Sequence, residues 1–189
     1  MERLQKYFTD KFQLSKDDWN LINENIKTKT LQKGEFFIEQ NKVCRYSGFI
    51  LAGVMRYFSY DENGNDPTCY FVSENQYITD PFTFKKQKPS EMNLQAVTKC
   101  DLAVISFDSD KKIQTLLPKW NDIINQVLLE VSINFANQKE LLAMNASKRY
   151  DYFMENYPTV AKRTTLQYVA SYLGIKQPSL SRVRKNTPL

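Results

Sequence analysis

The chain has 189 residues, 42% hydrophobic and 25% charged, with a formal net charge of +5 at pH 7 and no histidine. A chain of this length supports one or two domains with a real core, since it buries roughly two-thirds of its unfolded surface. Without imidazole there is no Ser-His-Asp or Cys-His nucleophile system, no histidine general base and no His-ligated metal, which excludes cupin-type enzymes. The sequence therefore assigns no catalytic residue, metal ligand or cofactor. Cys44, Cys69 and Cys100 are too widely spaced for a CxxC knuckle and one short of the four thiolates a cluster usually needs. With no apolar run at the N-terminus and none of ~18 residues later, they are expected to be buried thiols of a soluble, cytoplasmic protein.

Residues 1–27 read as helical: Leu4, Tyr7 and Phe8 share a face, and Ser15 is an N-cap candidate for a second turn through Trp19, Ile22 and Ile26. From about residue 30 the pattern becomes short β-rich runs, at 35–38, 47–51, 54–60, 68–72, 93–97 and 102–106. Gly34, Gly53 and the stretch Asp61–Asp66 break them apart, and strands at this spacing predict an antiparallel sandwich or barrel.

Beyond Phe107 the strands stop. Lys111–Leu117 suits a short helix, and residues 119–144 hold neither Gly nor Pro. There Ile124, Leu128, Val131, Phe135, Gln138 and Leu142 recur at alternating spacings of four and three, a seam on a helix about 39 Å long. Trp120, Ile123 and Val127 form a second apolar set beside it. The chain's own barrel or a second copy could fill the seam. Because no other long helix is available, a homodimer interface is expected. Helices follow at 146–157, 166–173 and from Gln177 or Pro178 to about Lys185.

The charge is uneven. Residues 1–145 carry 18 basic and 19 acidic side chains, whereas residues 146–189 carry eight basic and two acidic, a net +6. Such asymmetry points to a polyanion, nucleic acid before membrane. Within this basic end, residues 165–185 have the layout of a helix-turn-helix. Ala170 is small where the helices approach, Gly174 ends the first helix, Ile175 plugs the gap, and Leu180 and Val183 share the buried side of the second. Pro178 costs no needed donor in a first helical turn. Gln177, Pro178, Ser181, Arg182 and Lys185 are then outward, where a recognition helix meets the major groove. Gln177 suits adenine and Arg182 guanine. Arg163, Lys176, Ser179 and Arg184 suit phosphates, which position a protein without specifying sequence.

Gln32–Glu35 with Phe49–Arg56, and Ala170–Ile175 with Ser179–Arg182, carry a resemblance to the Crp/Fnr family of bacterial transcription regulators over nearly the whole chain. The resemblance implies an α+β fold: an antiparallel β-roll (double-stranded β-helix or jelly roll) with flanking helices over 1–117, a long dimerisation helix over 118–145 and a winged helix-turn-helix over 146–189. It implies double-stranded DNA, a second copy and RNA polymerase as partners, with a small-molecule effector in the roll. Family members that bind cyclic AMP carry an acid for the ribose hydroxyl and an Arg for the phosphate. Here Tyr77, Thr79 and Asp80 occupy the first turn, with Asp80 at the acid's place, while Ser90 and Glu91 stand where the Arg and its neighbour would be. A buried phosphate without a cation is costly, so tight cyclic-nucleotide binding is not expected and the effector is left open. From another class, a small-molecule-binding signalling protein whose basic tail contacts protein or RNA also fits the charge pattern.

Overall fold

The computed structural model describes residues 1–186, excluding the side chains of residues 134, 135, 137–140, 142, 185 and 186. Helix α1 (Glu2–Phe12) ends at Gln13, and α2 (Lys16–Glu24) begins on a reciprocal cap. The Ser15 hydroxyl accepts from the Asp18 N–H while the Asp18 carboxylate accepts from the Ser15 N–H.

Eight strands follow: β1 (Lys27–Leu31), β2 (Phe36–Ile38), β3 (Tyr46–Ala52), β4 (Met55–Phe58), β5 (Thr68–Val72), β6 (Tyr77–Ile78), β7 (Asn93–Ala96) and β8 (Cys100–Ser106), with the short helix α3 (Pro81–Lys86) between β6 and β7. They form two antiparallel sheets in the orders β1-β8-β3-β6 and β2-β7-β4-β5. Period-two alternation divides the side chains. Ile50, Met55, Tyr57, Leu94, Leu102 and Val104 fill the space between the sheets. Phe49, Ala103 and Ile105 point the other way, into a core shared with Leu4, Phe8, Trp19, Trp120 and Val127.

One close approach fixes a corner of the roll. Gly53 has φ +111°, and a Cβ there would lie 2.5 Å from the Cys100 sulfur and 2.6 Å from the Lys99 carbonyl oxygen. Only glycine fits.

The remainder is helical: α4 (Phe107–Leu116), α5 (Trp120–Ala143), α6 (Ala146–Asn156), α7 (Pro158–Arg163), α8 (Leu166–Tyr172) and α9 (Gln177–Asn186). Among the described residues no strand follows Ser106, so no wing accompanies α8 and α9 there; residues 158–163 are helix α7. The C-terminal helices cover the second sheet. Val54, Phe71 and Val97 of the roll share a third core with Phe153, Val160, Val169, Tyr172, Leu173 and Leu180. Phe71 lies 6.0 Å from the Phe153 ring and 5.4 Å from the Tyr172 ring.

The seam on α5 is corrected in its first half. Ile124 and Leu128 are buried in the protomer's own core beside Phe8 and Trp120, and Val131 is buried too. A heptad-like spacing marks a covered face without saying what covers it, and here the outer face of the first sheet does so. Among the described side chains, the exposed large apolar residues of this helix are Leu129 and Ile133, 60% and 49% exposed and one turn apart. Phe135, Gln138 and Leu142 lie outside the described side chains.

Candidate nucleic-acid interface and roll pocket

Helices α8 and α9 meet through a tight, fully bonded turn. The Thr165 side chain caps α8. At its other end the Gly174 N–H donates to Ser171 O and the Ile175 N–H to Ala170 O, each at 3.0 Å, with Gly174 at φ 62°. This is the Schellman arrangement, which needs a left-handed residue where the sequence has Gly174. The Arg149 guanidinium donates to the Leu173 carbonyl. Ala170 and Leu180 are buried between the helices, with Ile175 and Val183 packed against them.

What remains outward is a polar stripe. Lys176, Gln177, Pro178, Ser181, Arg182 and Arg184 are exposed and Ser179 is half-buried. Lys185 lies outside the described side chains. Gln177, Pro178, Ser181 and Arg182 recur at helical spacing on one face of α9. Two adjacent helices at this kind of corner offer a major groove a row of donors with little apolar cost.

Arg163 is the exception. Its two terminal nitrogens bind both oxygens of Glu74 on the roll, at 2.6 and 2.7 Å. Glu74 also accepts from the Gly53 N–H at 2.7 Å. The guanidinium holds the Glu74 carboxyl far below its usual range, at about 2. Arg163 thus ties the C-terminal helices to the roll. Neighbouring contacts reinforce that joint. The Thr68 N–H donates to the Ser171 hydroxyl, and the Arg56 guanidinium lies 3.9 Å from the Tyr168 ring and 4.1 Å from the Phe58 ring. Arg56 is only 1% exposed, and its nitrogens are held by Gln95, Thr68 and Asp66. The sequence reading did not single out Arg56. An arginine followed by Tyr57 and Phe58 on a strand is the signal it carries.

In the roll, the structure brings Thr79, Asp80 and Ser90 together. The Ser90 hydroxyl donates to the Asp80 carboxylate at 2.7 Å, and the other Asp80 oxygen caps α3 by accepting from the Phe82 and Thr83 N–H groups. The residues that the resemblance sets at the acid and arginine places are therefore bonded to each other. Glu91 lines an adjoining groove with Lys86 and Lys88, which shares Asp80, Phe82 and Met92 with the Asp80 cavity. Tyr77 stands apart: its hydroxyl pairs with Ser47 at 2.6 Å and its ring belongs to the helix-side core. The Asp80 cavity is completed by Pro81 and Phe82 of the same turn and by Tyr57, Met92 and Ser132, which local sequence patterns did not mark.

The thiols of Cys44, Cys69 and Cys100 are free; Cys44 and Cys100 are buried as expected while Cys69 is half-buried, and burial pushes Cys100 up to about 11. Among the described residues no three Cys, Asp or Glu side chains cluster as metal ligands, and no helix is long and apolar enough to cross a membrane.

A two-sheet roll with an internal helix between β6 and β7 is followed by a long helix and a C-terminal helical pair. The family model of the cyclic nucleotide-binding domain matches residues 28–113. No curated protein matches the sequence. Among solved structures, FixK2 from Bradyrhizobium japonicum is similar at 12% identity, with a TM-score of 0.75 over 85% of this chain and 83% of that one. A protein assigned to the Crp/Fnr family from Eubacterium rectale ATCC 33656 is similar at 18% identity, with a TM-score of 0.73 over 96% and 87%. The c-di-GMP-responsive global regulator CLP of Xanthomonas campestris is similar at 13% identity, with a TM-score of 0.70 over 91% of both. At these identities the likeness is one of fold.

Proposed function

We propose that this protein is a sequence-specific DNA-binding transcription regulator that acts as a homodimer on a palindromic site, with the roll as its effector domain. The observation that carries this reading is the exposed stripe Gln177, Pro178, Ser181 and Arg182 on α9, set in a segment of net charge +6. Base edges would be read from that stripe, while Lys176 and Arg184 would neutralise phosphates. Residues 1–117 would serve as effector domain, 118–145 as dimer helix and 146–189 as reader, with RNA polymerase as a partner in the cytoplasm. The dimer contact would use the Leu129 and Ile133 face, since the neighbouring apolar face is already filled by the roll. No catalytic step is assigned.

The test is selection of bound sequences from random duplexes, followed by electrophoretic shifts in excess unlabelled random DNA. The expected outcome is a palindrome with half-sites ~34 Å apart, bound at least a thousandfold more tightly than random DNA. Equal binding to all sequences would overturn the reading.

A further inference from the structure

We propose that Arg56 of the roll is a positioning residue for DNA reading: through Tyr168 it sets the tilt of α8 and α9, and with it the half-site spacing that the dimer accepts. The proposal rests on the reading of α9 as the base-reading helix.

Arg56 lies on β4 and is 1% exposed. A guanidinium has five N–H groups, and here roll atoms accept from all of them. Nε and Nη2 donate to Gln95 Oε1, at 3.3 and 3.0 Å. Nη1 donates to the Asp66 carbonyl at 3.1 Å and to the Thr68 hydroxyl at 3.2 Å, and Nη2 also donates to the Asp66 carboxylate. The roll therefore fixes the plane of the cation. Two rings cover it, Phe58 with its centre at 4.1 Å and Tyr168 at 3.9 Å. Phe58 is another residue of β4, whereas Tyr168 belongs to α8.

Helix α8 meets the roll along one face, with Tyr168, Ser171 and Tyr172 at positions i, i+3 and i+4. The Ser171 hydroxyl accepts from the Thr68 N–H at 2.8 Å, and the Tyr172 ring lies 5.4 Å from that of Phe71. These contacts constrain different things. Two apolar rings slide at little cost, and one hydrogen bond is a pivot. A ring laid on a cation that cannot turn is held in tilt as well as distance. The two backbone bonds around Gly174 join α8 to α9, so that tilt passes to the outward stripe. Helix α9 has 10 residues, about 15 Å. A tilt of ~10° moves its far end by about 2.5 Å, most of the ~3.4 Å rise of one base pair. In a dimer the error enters once at each half-site.

The experiment uses the full chain with its selected palindrome, the same palindrome with one central base pair added or removed, and a single half-site. The native chain should bind the altered spacings at least about tenfold more weakly. Tyr168→Leu should cut that penalty to less than about threefold, with half-site affinity and salt slope unchanged. Tyr168→Phe, which keeps the ring, should restore it, and Arg56→Met should act like Tyr168→Leu. Without DNA, amide residual dipolar couplings should fit one alignment for the whole native chain. In Tyr168→Leu only those of α8 and α9 should shrink. The proposal is overturned if the native chain recognises its palindrome but ignores spacing, if Tyr168→Leu keeps the penalty, or if half-site and palindrome binding fall in step. A chain that prefers a palindrome while the couplings stay unchanged refutes the positioning role alone. One that prefers no sequence, yet whose α8 and α9 couplings shrink in Tyr168→Leu, refutes the DNA reading and leaves the alignment by Arg56 standing.

Discussion

Glu74→Gln removes one charge from the joint between roll and reader while keeping the side chain's shape and its acceptor for the Gly53 N–H. In the native chain Arg163 draws the Glu74 carboxyl from 4.5 down to about 2. At ~1.4 kcal/mol per unit, that displacement is worth at most about 3 kcal/mol. The pair is partly open to water, which leaves ~1–2 kcal/mol after screening. Because the folded-state value lies below the unfolded one, the contribution is complete above pH 4.5 and is lost as the pH falls through about 2. Urea unfolding of Glu74→Gln, Arg163→Gln and the double variant at pH 7 should give a coupling of ~1–2 kcal/mol with unchanged m-values. Between pH 4.5 and 3 the native chain should lose stability faster than Glu74→Gln. A coupling below about 0.3 kcal/mol, or equal pH slopes, would refute the clamp.

The clamp also separates two basic residues that look alike in the sequence. Arg163→Ala should leave the slope of log binding constant against log salt unchanged on random DNA, whereas Lys176→Ala should reduce it by about 0.9. Arg182→Ala should cost ~1–3 kcal/mol on the preferred palindrome and little on random DNA, as measured by competition shifts. Leu129→Glu with Ile133→Glu should yield folded monomers in sedimentation; Leu128→Glu, which places a charge in the protomer's own core, should instead lower unfolding stability by more than about 3 kcal/mol. Arg56→Met should destabilise by ~2–4 kcal/mol in urea, because it leaves Asp66 and Gln95 without their donor and Tyr168 without its cation.

How far the sequence disclosed this follows from what each signal depends on. The strand runs at 47–51 and 68–72, the start of α2 and the α8–α9 pair were legible because short β-rich runs, the Ser15 cap and Gly174 are local devices. Strand β1 was not, since Lys27-Thr28-Lys29-Thr30 offers no apolar face; its pairing with β8 creates it. Helix α3 was read as a turn because six residues starting at Pro81 show no period, and its cap depends on Asp80. The pairing of Asp80 with Ser90, and of Arg163 with Glu74 89 positions away, is set by sheet topology and leaves no trace in spacing. Of the seam on α5, Ile124 and Leu128 lie in the protomer's own core, an occupant that spacing alone does not disclose.

The third core has a consequence for motion. Its interior is completed by Val54, Phe71 and Val97 from strands and loops that belong, by chain order, to the roll. Residue 145 therefore separates two layouts without separating two cooperative units, and a fragment starting there would lack part of its own interior. Swinging the reader outward would bare Phe71 and Tyr172 at once, so any rearrangement that a ligand or DNA favours must slide one packed face over another in discrete steps. Heat and denaturant should accordingly meet a single transition in this chain, with the reader melting when the roll does.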